Sequence, residues 1–376
     1  MHIDSNSGYQ IDLFGNIPVL DAWWKKSKTK NRVLTLVLIT WVPLLLLSLL
    51  ASRETILTDY AIHMRFLIAL PLLLISSMKS GERLRESFYQ FIEAEILDPE
   101  DYNKLKYEIN RTRELRDSKF AKIIILLLVY TVVGLYLFQF KNIENPIWRT
   151  ADDGFSPAGW WFNLISQPLY FYFLFYFLYR TGLWCRLLKK VSGMKLHLKA
   201  SNGDDAGGLG FLGHLLVFFI VPCFAISISL AGSMLNLVLY EGIDVNDIKF
   251  ILGVLCAGFL LLLAGPLLFF FPAMKEAKHR GISEYGTLMG RQLHAFERKW
   301  LVREIDPKDN ILQDEDFQSI DSNNAVIARV HSMRLVPFSL KDLVPLLVAI
   351  LLPFIPVVAI KVPWKVLLAQ ITKVIM

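Results

Sequence analysis

The sequence predicts an all-α, polytopic transmembrane bundle of about six to seven spans, with amphipathic helices on its cytoplasmic side. Three observations lead there. Seven apolar stretches punctuate the chain, at 33–51, 58–78, 121–140, 160–179, 211–239, 250–273 and 343–360. Most reach the ~20 residues that a helix needs to cross a bilayer core. Positive charge falls in every second gap: segments 1–32, 79–122, 180–210 and 274–342 hold 5, 10, 6 and 11 basic residues, 32 of the 40 in the chain. The intervening loops carry only Arg53, Lys141, Arg149 and Lys249. Basic residues resist translocation, so this asymmetry predicts a cytoplasmic N-terminus, and it accounts for the net charge of +6 without a nucleic-acid surface. Trp148, Trp160 and Trp161 then fall where an outer interfacial belt belongs.

The expected organisation is a cytoplasmic segment 1–32, a transmembrane hairpin 33–78, a cytoplasmic helical hairpin 79–120 and a four-span core 121–273 with a Gly-rich cytoplasmic loop at 180–210. A cytoplasmic helical segment 274–342 and a proline-broken span with an interfacial tail helix, 343–376, complete it. No cleavable leader is expected, because 32 mostly polar residues precede the first span and no A-x-A-like site follows it. Cys185, Cys223 and Cys256 read as small buried hydrophobes.

Each element has a local reason. The second span carries His63 and Arg65 near its outer end, where a long cation can reach the headgroups, so interfacial anchoring is preferred to a pathway role. In 79–120, Leu84, Phe88, Phe91, Ile92 and Ile96 recur at helical spacing. Asp98–Pro99–Glu100–Asp101 then stops one helix and starts the next: Asp98 caps, Pro99 suits the first position and the acids favour the positive dipole end. The fourth span is densely aromatic from Tyr170 to Tyr179, and its buried tyrosine hydroxyls need polar partners. In 274–342, Tyr285, Leu288, Met289, Leu293, Phe296, Trp300 and Leu301 form one helical face. That face suits the inner leaflet or the 79–120 hairpin. An acidic turn at Asp314–Glu315–Asp316 precedes a helix expected to open at Asp321 or Ser322 and to end by Pro337. Pro353 and Pro356 break the seventh span, which either crosses fully or re-enters, and Pro363 opens the tail helix.

The most distinctive motif runs from Ser201 to Gly213, SNGDDAGGLGFLG. Ser, Asn and Asp accept hydrogen bonds from the amides of a starting helix, and Gly207, Gly208 and Gly210 allow unusual turns. Capping is one reading. The other makes Asp204 and Asp205 a cation or proton site at the inner mouth of a pathway, with His214 titrating alongside. The chain resembles a widespread, functionally uncharacterised family of bacterial multipass inner-membrane proteins. Three blocks carry the resemblance: Ala206–Leu212; Glu284–Tyr285–Gly286 with Phe296–Leu301; and Asp316–Ser319 with Met333–Phe338. The family's usual His-Pro-Asp-Arg before the first block is Asn202–Gly203–Asp204–Asp205 here, so only Asp204 is kept. The resemblance implies a bacterial inner-membrane location and brings no activity, cofactor or catalytic residue.

Enzyme signatures are missing from the sequence. The seven histidines include no H-x-x-x-H pair, there is no phosphate-binding G-x-x-x-x-G-K-[ST] loop, and Ser233 directly follows Gly232, unlike an intramembrane protease G-x-S. No metal or cofactor is expected. Two functional readings follow: a channel or transporter for a small solute or ion, and a non-enzymatic interaction or sensory component. The second would use its cytoplasmic helices on a protein partner or a second copy of the chain. Either one has the lipid bilayer as its surroundings.

The topology is directly testable with single cysteines on a cysteine-free background and a membrane-impermeant thiol reagent. Asp153→Cys is expected to label on intact cells, whereas Asp117→Cys, Asn202→Cys and Asn310→Cys should label only after permeabilisation. Labelling of Asn310→Cys on intact cells overturns the assignment.

Overall fold

The computed structural model describes residues 29–50, 56–138, 147–151, 154–242, 245–300 and 315–361. These are helical apart from turns and one short hairpin, in which β1 (Thr150–Ala151) pairs antiparallel with β2 (Gly154–Phe155). Five helices are long and apolar enough to cross a membrane: Asn31–Leu50, Tyr60–Ser77, Lys119–Phe138, Phe211–Tyr240 and Leu340–Ile360. A bent pair, Asp247–Leu263 with Gly265–Arg298, makes a sixth. This set fits a multipass membrane protein. The expected tail helix after Pro363, and Asp314 of the expected acidic turn, lie outside the described residues.

In chain order, α1 (Thr29–Thr40) and α2 (Val42–Leu50) make the first rod. The second runs from α3 (Tyr60–His63) through a π-helical turn, Met64–Ala69, into α4 (Leu70–Glu93). After a turn come α5 (Tyr102–Asp117) and the apolar α6 (Lys119–Phe138). Next, α7 (Pro157–Trp161) passes through a second π turn, Phe162–Ser166, into α8 (Gln167–Ser192). The fifth rod joins α9 (Phe211–His214), a 3-10 segment and α10 (Ile220–Asn236), and ends in a third π turn, Leu237–Glu241. Then follow α11 (Val245–Leu263), α12 (Phe271–Trp300), α13 (Glu315–Ser332), α14 (Leu340–Leu351) and α15 (Ile355–Lys361).

Two rods organise the bundle. The first is α8, which buries a broad face through Tyr170, Phe173, Tyr176, Trp184, Leu187 and Val191, packs against α4, α5 and α6, and leaves Leu178 exposed. The fourth predicted span is a helix, but its Tyr, Asn and Gln content leaves it outside the most apolar set. By contrast, α6 buries only the stripe Ile125, Val129 and Val133 and leaves Ile123, Leu127 and Leu135 outward, as a lipid-facing helix does. The second organising rod is α10, which packs on α3, α4 and α14. At Gly232 a Cβ would stand 3.0 Å from Met64 Cβ and 3.1 Å from Ala61 Cα, so a small residue sets that approach.

Prolines break the rods where the sequence places them. Pro353 lies in a 3-10 segment, Leu352–Phe354, between α14 and α15, with Pro356 just inside α15. Its 21 residues, Leu340–Ile360, cover about 30 Å at 1.5 Å per residue, enough for a full crossing. Gly265–Pro266 begins a 3-10 segment that bends the sixth rod by 42°. One expectation is corrected: α13 opens at Glu315, six residues before Asp321, and ends at Ser332. Glu315 and Asp316 sit in the first turn, where the helix dipole favours acids, instead of forming a turn of their own. Its neighbour is α12, packed alongside it.

The turn after α4 follows its sequence signal. Asp98 caps the next turn, its carboxylate accepting from Glu100 N at 3.3 Å, with Pro99 at the first position. Leu97 bridges Leu196, and Asp101 fastens this contact by accepting from Lys104 Nζ at 2.6 Å and from Lys195 N at 2.8 Å. The Lys104 ammonium, then the Lys195 amide, hold the Asp101 carboxyl below the usual carboxylate range. With its folded-state pKa depressed, Asp101 stabilises the fold above its unfolded-state pKa and loses that contribution as pH falls through the folded value. Wild type is therefore expected to unfold at a higher temperature than Asp101→Asn in detergent near neutral pH. The two curves should converge on acidification below the carboxylate range; a constant difference would show that the charge does not matter.

Candidate functional site

The polar groups that the spanning helices enclose gather at the Asp59 end. Asp59 is 4% exposed and caps α3. Its Oδ1 accepts from Ile62 N at 3.3 Å and from Asn236 Nδ2 at 2.8 Å. Its Oδ2 accepts from Trp148 Nε1 at 3.0 Å and pairs with Arg149 Nη2 at 3.5 Å. One carboxylate thus joins the second rod, the segment before β1 and the fifth rod. Asn236 returns a bond, its Oδ1 accepting from Tyr60 N at 3.1 Å. Arg149 also donates to Tyr136 at 3.2 Å and lies 4.2 Å over the Phe162 ring. Trp148 is buried, so its expected place in an interfacial belt is corrected: its indole N–H finds its acceptor in Asp59. Trp160 remains half-exposed.

One turn further along lies Arg65. Its Nε donates to Ser229 Oγ and its Nη2 to Ser233 Oγ, both at 3.2 Å, and the Tyr170 ring covers the guanidinium at 5.3 Å. The anchoring role expected for Arg65 is thereby corrected. The guanidinium turns inward to α10, because the π turn carrying it faces the hydroxyls there. Ser229, Gly232, Ser233 and Asn236 stand at i, i+3, i+4 and i+7 and present one polar stripe to the second rod. No carboxylate lies within ion-pair distance of Arg65 among the described residues. His63, beside it, is bonded on both ring nitrogens. Trp41 Nε1–H donates to Nδ1 at 3.0 Å, and Nε2 stands 3.3 Å from Leu57 O.

All three π-helical turns flank this cluster, and such turns recur at functional sites. Among the described residues, the fully buried Asn163, in the second of them, finds no partner for its Oδ1 or Nδ2, nor do the buried Ser227 Oγ and Tyr172 Oη.

Asp204, Asp205, His214 and the loop glycines singled out from the sequence lie at the opposite end of α10. Both Asp204 oxygens are engaged by backbone: Oδ1 accepts from Ala206 N at 2.9 Å, both oxygens from Gly208 N at 3.0 Å, and Oδ2 from Gly210 N at 2.8 Å. Gly207 at φ +68° and Gly208 at φ +99° permit the curl. Asp205, itself at φ +52°, accepts from Ser332 Oγ at 3.3 Å. His214 is exposed and its Nδ1 stands 3.2 Å from Asp342 Oδ1. Each of the three has its own partners. The loop docks on the 333–338 block, with Arg334 Nη2 donating to Asp204 O at 2.8 Å and Arg334 N to Asp205 O at 2.7 Å. A Cβ on Gly213 would stand 2.8 Å from Pro337 O. Pro353 and Pro356 lie in the seventh rod, whose Phe354 and Val357 share a small core with Ala231 and Leu235 of α10.

The stripe Ser229–Ser233–Asn236 escaped sequence reasoning, although its signal was present as polar residues four and then three apart in an otherwise apolar run. Among the described residues, no three His, Cys, Asp or Glu side chains come together as a metal site. No family model, curated protein or solved structure matches the chain.

If Asp59 is the clasp described, Asp59→Ala leaves Arg149 buried without its carboxylate and should cost about 3–5 kcal/mol, as broken buried pairs do. Arg111→Ala, which removes the exposed, solvent-screened pair with Glu114, should cost far less. Denaturation of both variants in detergent checks this. Equal losses would remove Asp59 from that role.

Proposed function

We propose that the chain is a multipass protein of a bacterial inner membrane that moves a small polar solute or ion, with the Arg65 cluster as its solute site. The orientation rests on the basic residues: the end of the bundle carrying Asp204 is the cytoplasmic one, and the Asp59 end faces outward. Ser229 and Ser233 then stand roughly 20–30 Å along the fifth rod from His214 at 1.5 Å per residue, in the outer part of the membrane.

One observation carries the reading. Arg65 is held between spanning helices by hydroxyls and an aromatic face, with no described carboxylate in reach. A charge held inside a membrane is costly, faces cavities or bundle interiors, and marks solute and ion pathways. Asp204 contributes less to this reading, because its carboxylate is already taken up by the loop amides.

The second reading, an interaction or sensory component, has its own observation: Leu288 and Leu293 of α12 remain 55% and 44% exposed. They lie beyond Tyr285, the residue through which this helix bonds to Ser201, and offer an apolar face for a partner.

Flux separates the two. Proteoliposomes of wild type are expected to pass at least one member of a panel of small anions and cations above the level of protein-free vesicles. Arg65→Gln should reduce that flux at least tenfold while eluting as the same folded species. Wild-type flux at the protein-free level for every solute overturns transport and leaves the interaction reading standing.

A further inference from the structure

We infer that the solute held at Arg65 is a small planar oxyanion of the carboxylate or nitrate type, gripped by the end edge of the guanidinium. The inference rests on reading this cluster as the solute site and names the class of solute it takes.

Charge is the first argument. The cluster contains two guanidiniums, Arg65 and Arg149, and one carboxylate, Asp59, which pairs with Arg149. Its charge balance is therefore positive, with the excess on Arg65. Among spanning helices the effective dielectric is low, so this excess repels a cation and attracts an anion far more than it would in water.

Geometry is the second. A guanidinium offers two bidentate edges, one from Nε and Nη2 and one from Nη1 and Nη2. The first is fixed by Ser229 and Ser233 at 3.2 Å each. The Tyr170 ring centroid stands 5.3 Å from the guanidinium carbon. The Nη1–Nη2 edge keeps two N–H groups to offer, because Nη1 takes part in no hydrogen bond among the described residues and Nη2 gives only one of its two N–H groups to Ser233. Its two parallel N–H groups match the spacing of two oxygens on one planar anion, which is why arginine recognises carboxylates bidentately. Two serines and a tyrosine holding the other edge and the plane amount to preorganisation: the fork is aimed before the solute arrives.

The test uses purified full-length protein with sodium formate and sodium nitrate as probes, and with sodium chloride and potassium gluconate for ionic strength. Wild type should show saturable formate or nitrate binding by calorimetry. Arg65→Gln should weaken it at least tenfold, and Arg65→Lys, which keeps the charge and loses the fork, should fall between the two. Ser229→Ala/Ser233→Ala keeps the guanidinium and removes its anchor. It should also weaken binding, which keeps the test decisive if Arg65→Gln does not fold. Vesicle assays with labelled formate and with potassium run in parallel. Potassium flux with no oxyanion binding overturns the inference and leaves transport intact. Oxyanion binding lost in Arg65→Gln, with no flux of either probe, supports the site and overturns transport. Unchanged formate affinity in both Arg65→Gln and the serine double variant also overturns the inference.

Discussion

Asp59 holds a carboxylate buried away from water, and four donors from three parts of the chain are arranged around satisfying it. Four donors converge on two oxygens: an amide of its own helix, a carboxamide from the fifth rod, an indole and a guanidinium from the segment before β1. Each belongs to an element that would otherwise have little reason to stop where it does. Ser156 fixes the indole's strand of chain by donating to Trp148 O at 2.6 Å and capping α7 through Gly159 N at 3.0 Å. Gly159 has no room for a side chain because Arg149 O already occupies that position. The clasp thereby sets where α7 begins, and with it the height of the aromatic α8.

Arg65 is the complement of that arrangement. Asp59 is saturated by strong donors, whereas Arg65 is steadied by weak ones: two hydroxyls and a ring face. A π turn widens its rod by one residue and lets the side chain point at α10. One cluster thus holds a fully committed anion beside a partly committed cation, and the proposed binding role falls on the latter.

Much of the architecture was legible because membrane helices announce themselves through local composition. Most of the apolar runs, the Asp98–Pro99 start and the break at Pro353 depend on neighbours within a few residues, and these appear where the sequence put them. The site was less legible because its partners are remote. Trp148 meets Asp59 across 89 residues of chain, and Asn236 meets it across 177. An indole in a loop reads as an interface anchor until the buried acceptor is known. Arg65 near a span end reads as snorkelling until Ser229 and Ser233 are placed beside it. The Asp204–Asp205 pair drew attention by its charge density, yet the Asp204 carboxylate proved to be bonded to the amides of its own loop.

The docking of the glycine-rich loop on Arg334 has a consequence for biosynthesis. Asp204 and Asp205 are made about 130 residues before the arginine that donates to their carbonyls. At ~5–20 residues per second, that interval is roughly 6–25 s. Throughout it, Asp205 must hold a left-handed backbone with no help from Arg334, and Gly213 waits for the chain that will press against it. The carboxylate of Asp204, which needs only amides from its own loop, can shape the receptacle during that wait. The last span then arrives at a surface already formed, and membrane insertion is completed by a segment that fits the earlier ones.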